Sequence, residues 1–351
     1  MAVIISQPEL NIREKLADLD RPVGTAGARM LLAETPQEQQ ALIGLGRRNF
    51  TINGDMKVWQ RGTSFTSHTS GSYFADRWTM GSNVSNLTVS RNTEVAVGPF
   101  PKKNTLRMAA TGASGFDLYH LYEDWEALSN QTITISFWYK TNVANVIVRQ
   151  WSTYSWAEIP RSDNWSYFTT TFTLGTLVSG ARAANTASIG LWAVNGIVSG
   201  DYFEFTNYQL ELGSVATPFE QRSYGEELAL CQRYFCTGFP LGATITNGQS
   251  LTGTNDGVNG WVAFGNTVAR SAYIHYPVEM RASPSVTLYS VGGMANGKWG
   301  IYDGSTWQAV GTTAIDTTNK HFNVRENSSA FTMGVGKAYL LKGQWTASAE
   351  L

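Results

Sequence analysis

Apolar and polar side chains alternate through much of this chain, which is the pattern of strands with one buried face. The alternation is regular over residues 131–139 and nearly regular over residues 203–210, so each segment is predicted to be a half-buried strand. Strand-like segments, separated by turns of Gly, Ser and Asn, are residues 87–91, 105–109, 131–139, 145–151, 165–173, 187–194 and 202–210. So many short strands in succession predict a jelly-roll β-sandwich over residues 49–222.

The last third of the chain shows the same kind of pattern without a helical period. Its strand-like segments are residues 261–264, 272–276, 285–289, 299–302, 306–310, 321–324 and 337–342. Glycine-containing turns at Gly260, Gly292-Gly293 and Asp303-Gly304 separate several of them. A smaller C-terminal β-domain is therefore predicted over residues 238–351.

One helix is predicted between these two β regions, over residues 223–237. Ser223 and Glu226 have the spacing of a capping box, which marks a helix start. Gly238 and Pro240 mark its end. Its apolar stripe consists of Leu228, Cys231, Tyr234 and Phe235.

Residues 1–48 differ from the rest because they carry two short helical patterns. Asn11 with Glu14, and Thr35-Pro36 with Glu38, are N-terminal signals. Helices this short are marginal in water, so their apolar residues must be buried against something else. The apolar residues of this predicted anchoring and oligomerisation segment are Ile4, Ile5, Ile12, Leu16, Leu19, Leu42 and Leu45. Sister chains or a docking socket would cover them, and the alternative is packing back onto residues from 50 onward.

Composition agrees with a mainly β protein that has an N-terminal helical anchor. Charged residues make up 15% of the 351 residues and aromatic residues 12%, against about 25% charged in typical soluble domains. A net charge of −1 argues against nucleic acid as a partner, because phosphate binding requires clustered Lys and Arg. No apolar run reaches the length of a membrane span. Cys231 and Cys236 are poorly placed for a disulfide on one helix, and free thiols fit a reducing cytoplasm.

The sequence shows no catalytic motif, and we therefore expect that the chain is not an enzyme. The four histidines lack metal-ligand spacing, and His275, inside a predicted strand, is interpreted as a structural histidine. The acidic run 123–126 is interpreted as a solvated turn, since adjacent carboxylates do not by themselves give the geometry of a glycosidase. Asp76 is expected to pair with Arg77 or with backbone. No cofactor and no metal ligand set is predicted, and a calcium ion in the jelly roll stays unassigned.

Aromatic side chains are the better candidates for binding. Trp151, Tyr154 and Trp156 lie close together in a loop-like stretch where one strand face does not account for all three rings. Exposed aromatic clusters mark interaction surfaces, and their faces suit the apolar face of a pyranose. Candidates in the terminal domain flank its Asp303-Gly304 turn: Trp299, Tyr302 and Trp307. Either group fits sugar contact or burial at a subunit interface, where Trp and Tyr are also enriched.

Several stretches resemble the sequences of phage tail-fibre and other virion appendage proteins. They are residues 49–62 with 74–78, residues 203–234 and residues 276–284, and residues 33–46 resemble a short element of the proximal part of fibres. The resemblance implies a homotrimeric virion fibre that is assembled in the host cytoplasm. Residues 1–48 would attach it to phage tail or capsid proteins, and the β-domains would bind bacterial surface polysaccharide.

Two alternatives predict different behaviour. A depolymerase acting through Glu123, Asp124 or Glu126 would release reducing ends from host capsule. A carbohydrate-binding module with no virion would be a soluble monomer that binds sugar without residues 1–48.

Overall fold

The structure is a computed structural model, and the chain divides into two units, Met1–Arg48 and Asn49–Leu351. The structure describes residues 48–351, with gaps at 67, 83, 179–186, 250–258, 264–268, 293, 303–304, 327–333 and 335. The predicted anchor residues between Ile4 and Leu45 therefore lie outside the described residues.

The first region of the second unit is a β-sandwich. Its strands are β1 (Ser64–Phe65), β2 (Trp78–Met80), β3 (Leu87–Val97), β4 (Phe100–Ala110), β5 (Ser114–Leu121), β6 (Thr132–Thr141), β7 (Val146–Gln150), β8 (Trp156–Ile159), β9 (Ser162–Thr173), β10 (Ser188–Ile197) and β11 (Tyr202–Leu212). One sheet has the order β1-β3-β4-β11-β6-β9 and the other the order β2-β5-β10-β7-β8. The mainly β, jelly-roll prediction is confirmed, while β1, β2, β5 and β8 were not predicted.

Aromatic side chains fill the space between the two sheets. Tyr208 stacks on Phe137 with ring centroids 5.2 Å apart, and Trp78 meets Tyr208 edge-on at 5.1 Å. All three side chains are fully buried. Such pairs contribute about 0.5–1.5 kcal/mol beyond their buried area, so the alternating residues of β6 and β11 hold the sheets face to face.

Two helices lie within the described residues, α1 (Trp125–Leu128) and α2 (Tyr224–Gln232). The predicted cap is confirmed, because the Ser223 side chain accepts a hydrogen bond of 3.2 Å from the backbone N–H of Glu226. The predicted end is wrong: α2 stops at Gln232, and Phe235 lies on a strand, β12 (Phe235–Thr237). Pairing of β12 with a strand near residue 346 draws these residues out of the helix.

The terminal region is a second β structure. Its strands are β13 (Asn259–Ala263), β14 (Ala269–Ser271), β15 (Ile274–His275), β16 (Ser285–Tyr289), β17 (Lys298–Tyr302), β18 (Trp307–Ile315), β19 (His321–Glu326), β20 (Ala338–Lys342) and β21 (Gln344–Ser348). A three-stranded sheet has the order β12-β21-β16, and a larger sheet the order β14-β13-β20-β17-β18-β19-β15. An additional β14–β19 pairing, Arg270 with Arg325, closes the larger sheet on itself. Residues such as Ile301, Val310 and Phe322 fill its interior.

Buried charges connect the sandwich to the end of the chain. Glu350 forms ion pairs with Arg77 and, at 2.9 Å, with Arg61. Asp76 accepts hydrogen bonds from the backbone and side chain of Gln60. The expectation that Asp76 pairs with Arg77 or with backbone is thus confirmed through the backbone, and the Arg77 guanidinium is paired with Glu350.

Candidate functional site

The outward face of the β2-β5-β10-β7-β8 sheet carries a row of large side chains. Trp156 on β8 pairs across the strands with Arg149 on β7. Arg149 in turn pairs with Gly190 on β10, and Gly190 pairs with Tyr119 on β5. A Cβ atom at Gly190 would collide with the Cβ of Tyr119 and the carbonyl of Leu118. Tyr119 and Leu118 therefore fill the space above Gly190, and only a residue without a side chain fits at this position.

A second row runs parallel to the first on the same face. Ile147 on β7 has Glu158 of β8 on one side and Trp192 of β10 on the other. Asp117 on β5 lies on the far side of Trp192. Glu158 is exposed and Trp192 is half-buried. The two rows together present rings, a guanidinium and a carboxylate on one surface.

Arg149 is the centre of this surface. Its guanidinium carbon lies 4.0 Å from the ring centroid of Trp151, 5.1 Å from that of Trp192 and 5.6 Å from that of Tyr154. A cation within about 6 Å of an aromatic face is attracted by the ring quadrupole. We call Arg149, Trp151, Tyr154, Trp156 and Trp192 the aromatic platform.

The loop between β7 and β8 is held by its own hydrogen bonds. The side-chain oxygen of Gln150 accepts from the backbone N–H groups of Ser152 at 2.7 Å and Thr153 at 3.1 Å. Tyr154 has a φ of 56°, a left-handed conformation that a bulky residue rarely adopts. Strained residues of this kind cluster at ligand-binding positions, and the Tyr154 side chain is exposed.

Two rings of the platform are largely open to solvent. Tyr154 is 52% and Trp156 is 56% exposed. An exposed ring can stack on the apolar face of a sugar, and a guanidinium or carboxylate beside it can hydrogen-bond the hydroxyl groups. The structure thus brings the predicted trio of Trp151, Tyr154 and Trp156 together on one surface.

Sequence reasoning missed Arg149 and Trp192 as members of the platform. The alternation of β7 and β10 would have placed both on an outward face. It would not have placed them side by side, because strand order and register are set by pairing between segments distant in sequence.

The second predicted trio is divided by the structure. Trp299 is 0% exposed in the interior of the terminal sheet, and a Cβ atom at Gly343 would collide with its indole. Trp299 therefore cannot offer a face to a sugar, and its prediction as a glycan contact is wrong. Tyr302 and Trp307 lie on the outer face with centroids 5.3 Å apart, and the Lys342 ammonium lies 4.4 Å from the Trp307 ring.

One carboxylate of the acidic run 123–126 is held by neighbouring side chains. Glu123 forms an ion pair with Arg233 and accepts a 2.5 Å hydrogen bond from the Tyr234 hydroxyl. Partial burial opposes ionisation, but these two donors outweigh it and lower the pKa of Glu123. Glu123 is thus paired and not freely solvated as predicted, while Asp124 and Glu126 are exposed.

The histidines fall into two pairs. His68 and His120 are buried, and the Nε2 of each lies within hydrogen-bond distance of a backbone carbonyl. Burial lowers the pKa of both imidazoles. His275 is exposed and lies on a strand, as predicted, opposite His321. Within the described ranges, no group of three or more His, Cys, Asp or Glu side chains is placed to hold a metal ion.

Two further findings concern the thiols and the helices of the described chain. Cys231 and Cys236 are free, as predicted, and both are buried, although Cys236 lies on β12 and not on the helix. Neither of the described helices has the length and hydropathy required to cross a bilayer.

Comparisons with known proteins give low similarity. No family model matches the chain, and no curated protein matches it. A CBM22 xylan-binding domain from Paenibacillus barcinonensis has 15% identity and a TM-score of 0.27, covering 45% of this chain and 99% of its own. A putative sugar binding protein from Bacteroides thetaiotaomicron has 13% identity and a TM-score of 0.32, covering 47% and 100%.

A phage protein shows similarity of the same order. The enzymatically active domain of tailspike protein 4 from Bacteriophage CBA120 has 14% identity and a TM-score of 0.31, covering 47% of this chain and 21% of that one. At such values none of these structures indicates the ligand or partners of this chain.

Proposed function

We propose that the chain binds carbohydrate through the aromatic platform. The observation that carries the proposal is Arg149 enclosed by three rings beside the exposed Trp156 on one sheet face. Monomeric proteins rarely leave large rings exposed together unless the surface is used.

Each part of the platform has a separate role in this proposal. Tyr154 and Trp156 stack on the apolar faces of successive sugar rings, and Arg149 and Glu158 hydrogen-bond the equatorial hydroxyl groups. The hydrogen bonds from Ser152 and Thr153 to Gln150 order the loop that carries Tyr154 before binding, which reduces the entropy lost on association. The activity is binding without turnover.

Affinity electrophoresis through gels that contain a soluble polysaccharide tests this proposal. The probes are xylan, mixed-linked β-glucan, galactan and purified capsular polysaccharides, each in its own gel. We expect at least one to retard the wild-type protein. Trp156→Ala should weaken that binding by about tenfold or more, since truncating an aromatic hot-spot residue removes about 2 kcal/mol or more of binding free energy.

Tyr167→Ala is the matched control. Tyr167 is 46% exposed but lies on β9 of the opposite sheet, so its removal should leave retardation unchanged. Equal losses for Trp156→Ala and Tyr167→Ala, or no retardation of the wild type by any probe, would contradict the proposal. Release of reducing ends during the run would contradict binding without turnover and favour the depolymerase.

We further propose that this binding serves a homotrimeric phage fibre anchored through residues 1–48. The resemblance of residues 49–62 with 74–78, of residues 203–234 and of residues 276–284 to appendage proteins supports it. Three copies of a weak site raise avidity through effective concentration. Attachment to the tail or to the capsid is left open.

Light scattering of the full chain beside a version lacking residues 1–48 tests the trimer. We expect three times the mass of one chain for the full protein and one chain mass after truncation. If the truncated protein is still a trimer, the surface that assembles the subunits lies on the β-domains. A monomer in both forms, with glycan binding intact, would favour a carbohydrate-binding module outside any virion.

A further inference from the structure

Two histidines from distant parts of the sequence meet on the surface of the terminal region. His275 on β15 lies directly opposite His321 on β19 in the antiparallel register. Their ring centroids are 5.5 Å apart, with an angle of 72° between the ring planes. Strand pairing therefore places two imidazoles side by side, although no motif in the sequence joins them.

This separation suits two ligands of one metal ion. Zinc lies about 2.0–2.1 Å from a ligating imidazole nitrogen, hence about 3.2 Å from the ring centroid. Two such rings 5.5 Å apart would subtend an angle of about 120° at the ion, near the tetrahedral to trigonal range. With one nitrogen of each ring directed at it, an ion would therefore have a coordination angle usual for zinc.

The imidazoles also have ring nitrogens that can bind a metal ion. The Nδ1 of His321 is buried and has no hydrogen-bond partner among the described residues, and His275 is exposed to solvent. A buried polar atom without a partner is unfavourable by about 1–3 kcal/mol, and an ion would give this nitrogen a ligand bond. By contrast, His68 and His120 are buried against backbone carbonyls.

A tyrosine packs beside the pair and limits the movement of its rings. The centroid of Tyr273 lies 4.3 Å from that of His321 and 6.5 Å from that of His275. Close by in sequence, Lys320 and Glu279 form an ion pair at 3.5 Å, so the lysine charge next to His321 is partly compensated. Ring packing of this type orients ligands before the ion arrives.

We propose that His275 and His321 form a two-imidazole site for a late first-row divalent cation, Zn²⁺ or Cu²⁺. Imidazole nitrogen is a preferred ligand of these ions. The remaining coordination positions face solvent and would take water. Binding fastens the short strand β15 to β19 and stabilises the terminal region, independently of the aromatic platform.

Isothermal titration of untagged full-length protein with ZnCl₂ and with CuCl₂ tests the site. We expect one site per chain, and His275→Asn or His321→Asn to weaken it by about tenfold or more. Tyr273→Phe is the control, because it keeps the ring against His321 and removes only the hydroxyl; its affinity should stay within about twofold. Wild-type Tm should rise with the metal, since a ligand that binds only the folded state stabilises it.

Carbethoxylation of the wild-type protein by diethyl pyrocarbonate gives a second readout that needs no variant. We expect His275 and His321 to be modified without metal and protected with it, as read by peptide mass spectrometry. Affinity unchanged in both histidine variants, loss of binding in Tyr273→Phe, or absence of protection would overturn the site. Glycan retardation should be the same with and without metal, which separates this result from that of the platform.

Discussion

At the residue scale, Asp76 shows how burial sets the behaviour of a single carboxyl group. Its side chain is fully buried and accepts hydrogen bonds of 2.7 and 2.8 Å from Gln60, with Arg61 at 3.4 Å. Desolvation is the largest influence, and it raises the pKa of Asp76 to about 6 in spite of these donors. The folded protein therefore holds this proton more strongly than the unfolded chain does.

A pH dependence of stability follows from that difference. Between about pH 4 and 6 the folded state binds more protons at Asp76 than the unfolded state, so its contribution to the free energy of unfolding falls as pH rises. The slope is on the order of 1 kcal/mol per pH unit. Urea unfolding from pH 4 to 7 should show it in the wild type and lose it in Asp76→Asn. Asp163→Asn, at an exposed ion pair, should keep the wild-type slope, and the same slope in Asp76→Asn would contradict the assignment.

At the element scale, the strand β10 depends on a residue without a side chain. Gly190 sits between Arg149 and Tyr119, and a Cβ atom there would meet the backbone of Leu118 as well as Tyr119. The backbone atoms cannot yield without breaking the β5–β10 pairing. The close approach of β5 and β10 thus depends on glycine at this position.

Two glycine substitutions should have opposite effects. Gly190→Ala overpacks the sheet and should lower the free energy of unfolding by about 1–3 kcal/mol. Gly225→Ala lies in α2, where an added Cβ meets nothing within 4 Å, and should raise it by up to about 1 kcal/mol. Urea denaturation followed by tryptophan fluorescence measures both, and equal shifts of the same sign would refute this explanation.

At the scale of the whole molecule, Glu350 links the end of the chain to the sandwich. Its carboxylate is paired with Arg77 and Arg61. Arg77 also donates a 2.6 Å hydrogen bond to the Leu121 carbonyl and lies 3.6 Å from the Tyr234 ring centroid. These contacts join the β2-β5 edge to Tyr234, just after α2, and to the residues after β21.

Glu350→Gln should remove this connection. Leaving the buried Arg77 without its counter-charge is expected to reduce the free energy of unfolding by about 3–5 kcal/mol. Glu94→Gln, at an exposed pair with Lys102, should change it by less than about 1 kcal/mol. In thermal unfolding, Glu350→Gln should show the terminal region melting before the sandwich. Equal melting temperatures for Glu350→Gln and Glu94→Gln would contradict the proposed link.

Much of the fold follows from local sequence patterns. The alternation of residues 131–139 and 203–210 correctly predicted β6 and β11, and the Ser223–Glu226 spacing correctly predicted the start of α2. Such features depend on residues within a few positions of each other, so one sequence contains them. Of the platform, the sequence indicated Trp151, Tyr154 and Trp156, because large rings crowded into one loop are visible without a structure.

Other features were decided only by tertiary structure. The alternation of β17 does not say which of its faces is inside, and closure of the sheet buried Trp299 while leaving Tyr302 and Trp307 outside. Pairing between distant strands brought Arg149 beside Trp192 and His275 beside His321. Sequence by itself determined the mainly β class, the helix start and the ring-rich loop, since these arise from local periodicity. Which side chains meet depends on strand order and register, which are set by long-range packing.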